Sequence, residues 1–199
     1  MIIALYGLDG AGKSTQAEIL KRTLLTLGKK VYLMNPYFNG QLTRKIRERS
    51  MLIDKNYEDD WGPNIVGTLL LQDLWDNVLE AIHTHPDEII IFDRYCLDYY
   101  VYSPLLNSNL EFYKPILDSF PRADINIFLD TNPQTCYERI LKKASEKGLN
   151  ICKREDWNIL QKARDSYLIL AKENKDFFVV QTGENIQVIN SHNLYIYFD

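Results

Sequence analysis

Cysteine is scarce in this 199-residue chain: Cys96, Cys136 and Cys152 are odd in number, widely spaced and without a C-x-x-C pair. That pattern argues against a disulfide framework or a zinc site and for a reducing compartment. Excess positive charge is missing as well. Lysine and arginine number 23 against 27 aspartates and glutamates, for a formal charge of −4, so no global basic field is present to hold nucleic acid or an anionic membrane. Any phosphate must be bound by local groups. No apolar run approaches the length that spans a bilayer, and no basic stretch precedes the first apolar residues, so the chain reads as cytoplasmic. Internal repeats, low-complexity tracts and Pro/Gly/Ser-rich linkers are absent too, so no domain boundary is visible. His83 and His85 have no carboxylate or thiol at metal-ligand spacing, which leaves them surface or capping roles.

What is present suits one α/β domain with a proper core: hydrophobic residues make up 46% and charged residues 25%. The chain is organised around its opening. Ile2-Ile3-Ala4-Leu5-Tyr6 feeds into Gly7-Leu8-Asp9-Gly10-Ala11-Gly12-Lys13-Ser14-Thr15, which fits the phosphate-binding loop G-x-x-x-x-G-K-[S/T]. Glycines let the backbone wrap a polyphosphate, Lys13 reaches the β- and γ-phosphates, and Ser14 can ligate Mg²⁺. Average residue usage gives a chance match roughly once in a hundred chains of this length. The context strengthens it: an apolar run precedes the loop, and Ser14 to Leu27 carries helical periodicity whose positive end would face the same anion.

Downstream, strand-like and helix-like segments alternate. Val31 to Met34 reads as a second strand, Gln41 to Leu52 as a helix with Arg44, Lys45, Arg47 and Arg49 on a solvated face, and Asn64 to His83 as a long apolar-periodic helix. Glu88 to Phe92 is a near-continuous apolar run of the kind found in a strand covered on both faces. An aromatic segment through Tyr99, Tyr100 and Tyr102 follows, then a helix-like stretch to Phe120. Asp124 to Leu129 is a fourth strand, Pro133 to Lys147 a helix, Gly148 to Lys153 a polar interruption, Glu155 to Lys175 a helix, and Phe177 to Val180 a fifth strand. Such alternation implies a five-stranded parallel sheet with right-handed crossovers.

Ligands gather at the carboxyl ends of such strands. Gly7 onward, Asn35-Pro36, Asp93-Arg94, Asp130 and Thr182-Gly183-Glu184-Asn185 fall there. Asp93 can hold Mg²⁺ in a Walker-B-like role or cap the next helix, and Arg94 offers a fork of donors suited to a second, acceptor phosphate. Asp9, within the phosphate loop, faces a sugar hydroxyl or serves as a turn residue facing solvent. Around Gly148 lie Arg139, Lys142, Lys143, Lys147, Lys153 and Arg154. These form either a lid that closes over the phosphates and excludes water or a solvated helix pair.

On these residues the chain resembles the thymidylate kinase family of P-loop nucleoside monophosphate kinases. Tyr6 to Gln16, with its carboxylate at Asp9, is similar to the family's loop; Asp93-Arg94-Tyr95 matches its D-R-Y/H signature; Leu129-Asp130, Glu138-Arg139-Ile140 and Arg164 to Leu168 fall where the family has its fourth strand and lid-flanking helices. The resemblance implies one domain over residues 1–199, with a three-layer P-loop kinase fold and a small helical lid at about 140–156. It implies ATP and Mg²⁺ as cofactors, small nucleotide substrates and a possible homodimer through the long third helix. By residue, it assigns catalysis to Lys13, Arg94 and Arg154, and ATP binding to Asp9, Gly10, Ala11, Gly12, Lys13, Ser14, Thr15 and Arg139. It places the metal on Ser14 and Asp93, and the acceptor on Asp9, Arg94, Tyr95, Tyr102 and Leu70. Departures cluster where the family reads thymine. Asn35-Pro36 replaces R-x-P, Leu70 and Leu74 stand where an aromatic and an arginine would fall, Asp98 and Tyr99 replace small hydroxyl residues, and Asn193 to Phe198 looks like an extra strand rather than a closing helix. The expected reaction is ATP-dependent phosphorylation of a (deoxy)nucleoside monophosphate, foremost dTMP; a deoxynucleoside or other small-acceptor kinase and a non-catalytic nucleotide-binding regulator are the alternatives.

Overall fold

Ile2–Gly7 is apolar from end to end because both of its faces are covered: every residue of this strand, β1, is buried. It lies at the centre of a five-stranded sheet. The computed structural model describes residues 1–37, 40–52, 61–148 and 151–182. After β1 come α1 (Lys13–Thr26), β2 (Val31–Met34), α2 (Gln41–Leu52), α3 (Pro63–Thr84), β3 (Ile89–Asp93), α4 (Asp98–Leu105), α5 (Leu110–Leu117), β4 (Ile125–Thr131), α6 (Pro133–Lys147), a 3-10 turn at Lys153–Glu155, α7 (Trp157–Glu173) and β5 (Phe177–Thr182). The strand order is β2-β3-β1-β4-β5, and every pairing is parallel.

That order reverses direction at β1. The connection leaving β1 runs past β3 to β2, whereas those leaving β2, β3 and β4 all run toward the β5 edge, so right-handed crossovers put helices on both faces. The reversal leaves a crevice at the carboxyl end of β1, where the glycine-rich loop begins. Burial follows position in the sheet. Central β3 is buried throughout, whereas edge strand β5 alternates after Phe177, as expected where one face meets solvent.

Several boundaries move from the sequence-based expectation. β4 and β5 each run two residues past their apolar cores, with Asp130 opposite Gln181 and Thr131 opposite Thr182, because backbone pairing continues under polar side chains. The tyrosine-rich segment after β3 is helix α4. The helix expected from Glu155 starts at Trp157, since Asp156 accepts hydrogen bonds from the N–H groups of Asn158 (2.9 Å) and Ile159 (3.3 Å) and so caps it. On α2 the basic residues Arg44, Lys45 and Arg49 are exposed, with Arg44 paired to Glu48. Gly183 to Asn185 and the strand expected at Asn193 to Phe198 lie outside the described residues.

α2 takes its N-terminal cap from another helix. Buried Asp73 of α3 accepts from the N–H groups of Leu42 at 3.0 Å and Thr43 at 2.8 Å, and from the Thr43 hydroxyl. A Cβ at Gly40 would collide with that carboxylate. Nearby, the Asn77 amide donates to the Pro36 carbonyl at 2.6 Å, so α3 holds both ends of the 35–43 connection. Asp73→Ala orphans three donors and is expected to lower the urea unfolding free energy by about 2–3 kcal/mol; an unchanged midpoint would contradict this account of α2.

Candidate active site

The loop after β1 owes its shape to two glycines with left-handed backbone. Gly10 has φ 82° and Gly12 φ 89°, conformations costly for residues with a Cβ. Gly10 is also pressed against α6, where an added Cβ would sit 2.5 Å from the Cys136 carbonyl oxygen. The same approach lets the Arg139 guanidinium donate to the Gly10 carbonyl at 3.1 Å. Lys13 is buried at the head of α1 and donates to the carbonyls of Gly7 (3.1 Å) and Leu8 (2.7 Å). Burial, reinforced by the charge of Arg94, pulls its pKa down to about 8. Ala11 is buried beside it, while Ser14 and Thr15 stand exposed in the first turn of α1.

The end of β3 meets this loop. The Ser14 hydroxyl donates to Asp93 Oδ2 at 2.5 Å, and Asp93 Oδ1 is buried with no hydrogen-bond partner. A hydroxyl and a half-satisfied carboxylate beside a phosphate loop form a hard-oxygen pair that fits Mg²⁺.

Beyond Asp93 the backbone turns sharply. Arg94 has φ 81°, a strained value for a long side chain, and its N–H donates to the Leu5 carbonyl at 3.0 Å. The guanidinium is thereby aimed between two carboxylates: Nη2 pairs with Asp9 Oδ1 and Nη1 donates to Asp98 Oδ2 at 2.7 Å. Arg154, from the 3-10 turn, completes a quartet. Its Nε lies 2.9 Å from Asp9 Oδ2 and its Nη2 3.8 Å from Asp98 Oδ2, and the guanidinium stacks 4.1 Å above the Tyr102 ring. Burial by itself would raise the Asp9 pKa, but Arg94 and Arg154 overcome it and hold the carboxyl well below the usual range. Conversely, burial would lower the arginines' values, and Asp9 keeps both firmly charged. Arg154 Nε and Nη2 and the Tyr102 hydroxyl are buried without a directed hydrogen bond, so donors converge beside the loop with capacity for an anion.

Two cationic centres, one at Lys13 and one at Arg94, thus lie on either side of Asp9. The family model for thymidylate kinase matches residues 5–193. The chain belongs to the thymidylate kinase family. A probable thymidylate kinase of Sulfolobus acidocaldarius is 29% identical over 191 residues, covering 94% of this chain and 91% of that protein, and the thymidylate kinase of Thermosipho africanus is 29% identical over 194 residues, covering 94% and 92%. Among solved structures, thymidylate kinase from Candida albicans superposes with a TM-score of 0.68 at 21% identity, covering 98% of this chain and 89% of that one. Its likeness bears on the fold.

Membership of the thymidylate kinase family frames where the remaining residues fall. Tyr95 is packed away from the quartet: its ring stacks on Phe92 at 4.9 Å and its hydroxyl donates to the Pro121 carbonyl at 2.7 Å. Leu70 is half-buried against the core, and Leu74 is fully enclosed in it at 0% exposure. Asn35 accepts from the N–H of Tyr37 at 3.1 Å and serves the turn after β2. Three side chains missed in the sequence complete the surroundings. One is Asp98, the quartet's second carboxylate, and another is Tyr167, whose hydroxyl donates to Asp98 Oδ1 at 2.6 Å. Arg164 grips Asp130 bidentately, at 2.6 and 3.0 Å, on the wall of a cleft of about 580 Å³ between α7 and the ends of β4 and β5. The one local signal for Asp98 is its place four residues after Arg94, at the head of an aromatic helix.

Gly10→Ala is expected to cost about 2 kcal/mol through positive φ and collision with α6 and to weaken ATP binding, as read by thermal melting and calorimetry. Asp9 predicts an acid response. Its folded pKa is depressed, so its stabilisation is full at neutral pH and is lost as pH falls below about 4, where the same carboxyl protonates in the unfolded chain. Asp9→Asn should therefore melt below the wild type at pH 7, with the gap narrowing progressively as pH falls below about 4 toward the depressed folded-state value; a gap independent of pH would refute this.

Proposed function

We propose that the protein transfers the γ-phosphate of ATP to a (deoxy)nucleoside monophosphate, with dTMP the foremost acceptor. One observation carries this reading: a second arginine centre, Arg94 with Arg154, is linked by Asp9 to the phosphate loop that holds Lys13. A hydrolase needs one phosphate centre and water, whereas a phosphotransferase needs two anion sites in line. The named relatives, thymidylate kinases of similar length, support dTMP as acceptor.

In this reading the loop from Asp9 to Thr15 wraps the triphosphate of ATP, with Lys13 leaving its carbonyl partners for the β- and γ-phosphates and Arg139 on the donor side. Ser14 and Asp93 would hold Mg²⁺, which would supply charge neutralisation there. Arg94 grips the acceptor phosphate, Asp9 approaches its sugar, and Arg154 comes with the lid to stabilise charge on the transferring group and exclude water. Tyr102 lines the acceptor side beneath Arg154, with burial lifting its phenol to about 12 and so keeping it neutral. Leu70 would offer thymine an aliphatic face in place of a ring. Three free cysteines and the absence, among the described residues, of any helix long and apolar enough to cross a membrane support a cytoplasmic setting.

Lys13→Ala and Arg94→Ala are each expected to reduce kcat/KM with ATP and dTMP by about 100-fold or more, since each removes a charge that acts on the transferring group. Circular dichroism would confirm that both variants fold. Near-normal turnover in either would overturn the assignment, as would absence of product from the wild type across a panel of nucleoside monophosphates.

A further inference from the structure

The quartet holds more negative charge than gripping an anion requires. Asp98, 4% exposed, sits in the first turn of α4 with every strong contact directed at the site: Arg94 Nη1 at 2.7 Å, Tyr167 Oη at 2.6 Å and Arg154 Nη2 at 3.8 Å. Asp9 and Asp98 together balance Arg94 and Arg154, so the four groups sum to zero where a dianionic phosphate is to bind. Arg94 has little freedom in this arrangement. Its backbone is in the left-handed region, and both terminal nitrogens are occupied, one carboxylate coming from the phosphate loop and the other from α4. Tyr167 anchors the second of these from α7, so Asp98 does not swing aside when an anion arrives.

We propose that Asp98 is a positioning residue that fixes the plane of the Arg94 guanidinium and, as a resident anion, weakens the hold on the acceptor phosphate. This rests on the reading of Arg94 as the acceptor-phosphate ligand. Two effects of opposite sign follow. The carboxylate orients Arg94 for in-line transfer, which raises kcat. Its charge, in direct contact with the arginine that must bind phosphate, opposes a second anion and raises the acceptor KM. A residue that only braced α4 would change neither in this paired way.

Initial-rate kinetics with saturating ATP and varied dTMP separate the two. Asp98→Asn keeps the shape and removes the charge; KM for dTMP is expected to fall about fivefold and kcat about tenfold, with KM for ATP unchanged and a matching drop in the calorimetric Kd for dTMP. Tyr167→Phe keeps the charge and removes its anchor, so kcat should fall about threefold while KM for dTMP stays within twofold. An unchanged or raised dTMP KM in Asp98→Asn, with wild-type activity intact, overturns the role of Asp98 and leaves the proposed function standing. If Asp98→Asn does not fold, Tyr167→Phe decides, and a wild-type kcat there overturns the proposal. Failure of the wild type to phosphorylate any nucleoside monophosphate overturns both.

Discussion

The buried pair of Asp9 and Arg94 is the contact on which the site depends. It joins a loop shaped by glycines to a residue held in strained backbone at the end of β3, two places 85 positions apart. Burying either charge alone would cost several kcal/mol, and removal of one partner leaves the other exposed to that penalty. The pair is therefore satisfied mutually, and it draws Arg154 and Asp98 in as further counter-ions. Because all four groups share a low-dielectric crevice, a change at one is felt at the others more strongly than it would be on the surface.

The sheet makes this crevice possible. β1 lies between β3 and β4 with both faces covered, and the connections leaving β1 and its neighbour β3 depart in opposite directions, which opens the crevice at their carboxyl ends. The glycine-rich loop fills that point, α6 closes over Gly10, and the end of β3 brings Asp93 to Ser14. Each approach relies on a missing side chain or an extended one. Gly10 has no Cβ to hold α6 off, while Arg94 and Arg139 reach across gaps that shorter residues would not span. Lys13 and the Arg94–Arg154 pair are close because strand ends and helices converge, and no single segment contains all three.

Recognition of the base is built differently from recognition of phosphate. Leu74 is buried in the core, so the position that would carry an arginine toward thymine instead packs α3 against the sheet. Phosphate binding needs charges in fixed places and tolerates little change. A base can be held by shape and stacking, which several sets of residues can supply. On the proposed reading, that contrast accounts for phosphate-binding residues close to the family pattern beside base-facing positions, Leu70 and Leu74, that depart from it.

Much of the fold was legible in the chain because its signals are local. The phosphate loop is contiguous, the buried strands are apolar runs, and α6 announces itself through Asn132, whose side chain accepts from the Gln134 N–H, and through Pro133 in its first turn. Strand ends extend past the apolar runs, since Asp130, Thr131, Gln181 and Thr182 pair through backbone groups that carry no side-chain signal. Asp98 and Asp73 were harder still. Each looks like any acidic residue near a helix, and its role arises only when another element supplies the donors: Arg94 and Tyr167 for one, Leu42 and Thr43 for the other. The sequence by itself determined that a glycine-rich loop of the phosphate-binding pattern follows β1 and that carboxylates and arginines stand at the strand ends. Only the tertiary structure decided which of them meet and which cancel, because charge pairing in a buried crevice depends on distances that chain order does not encode.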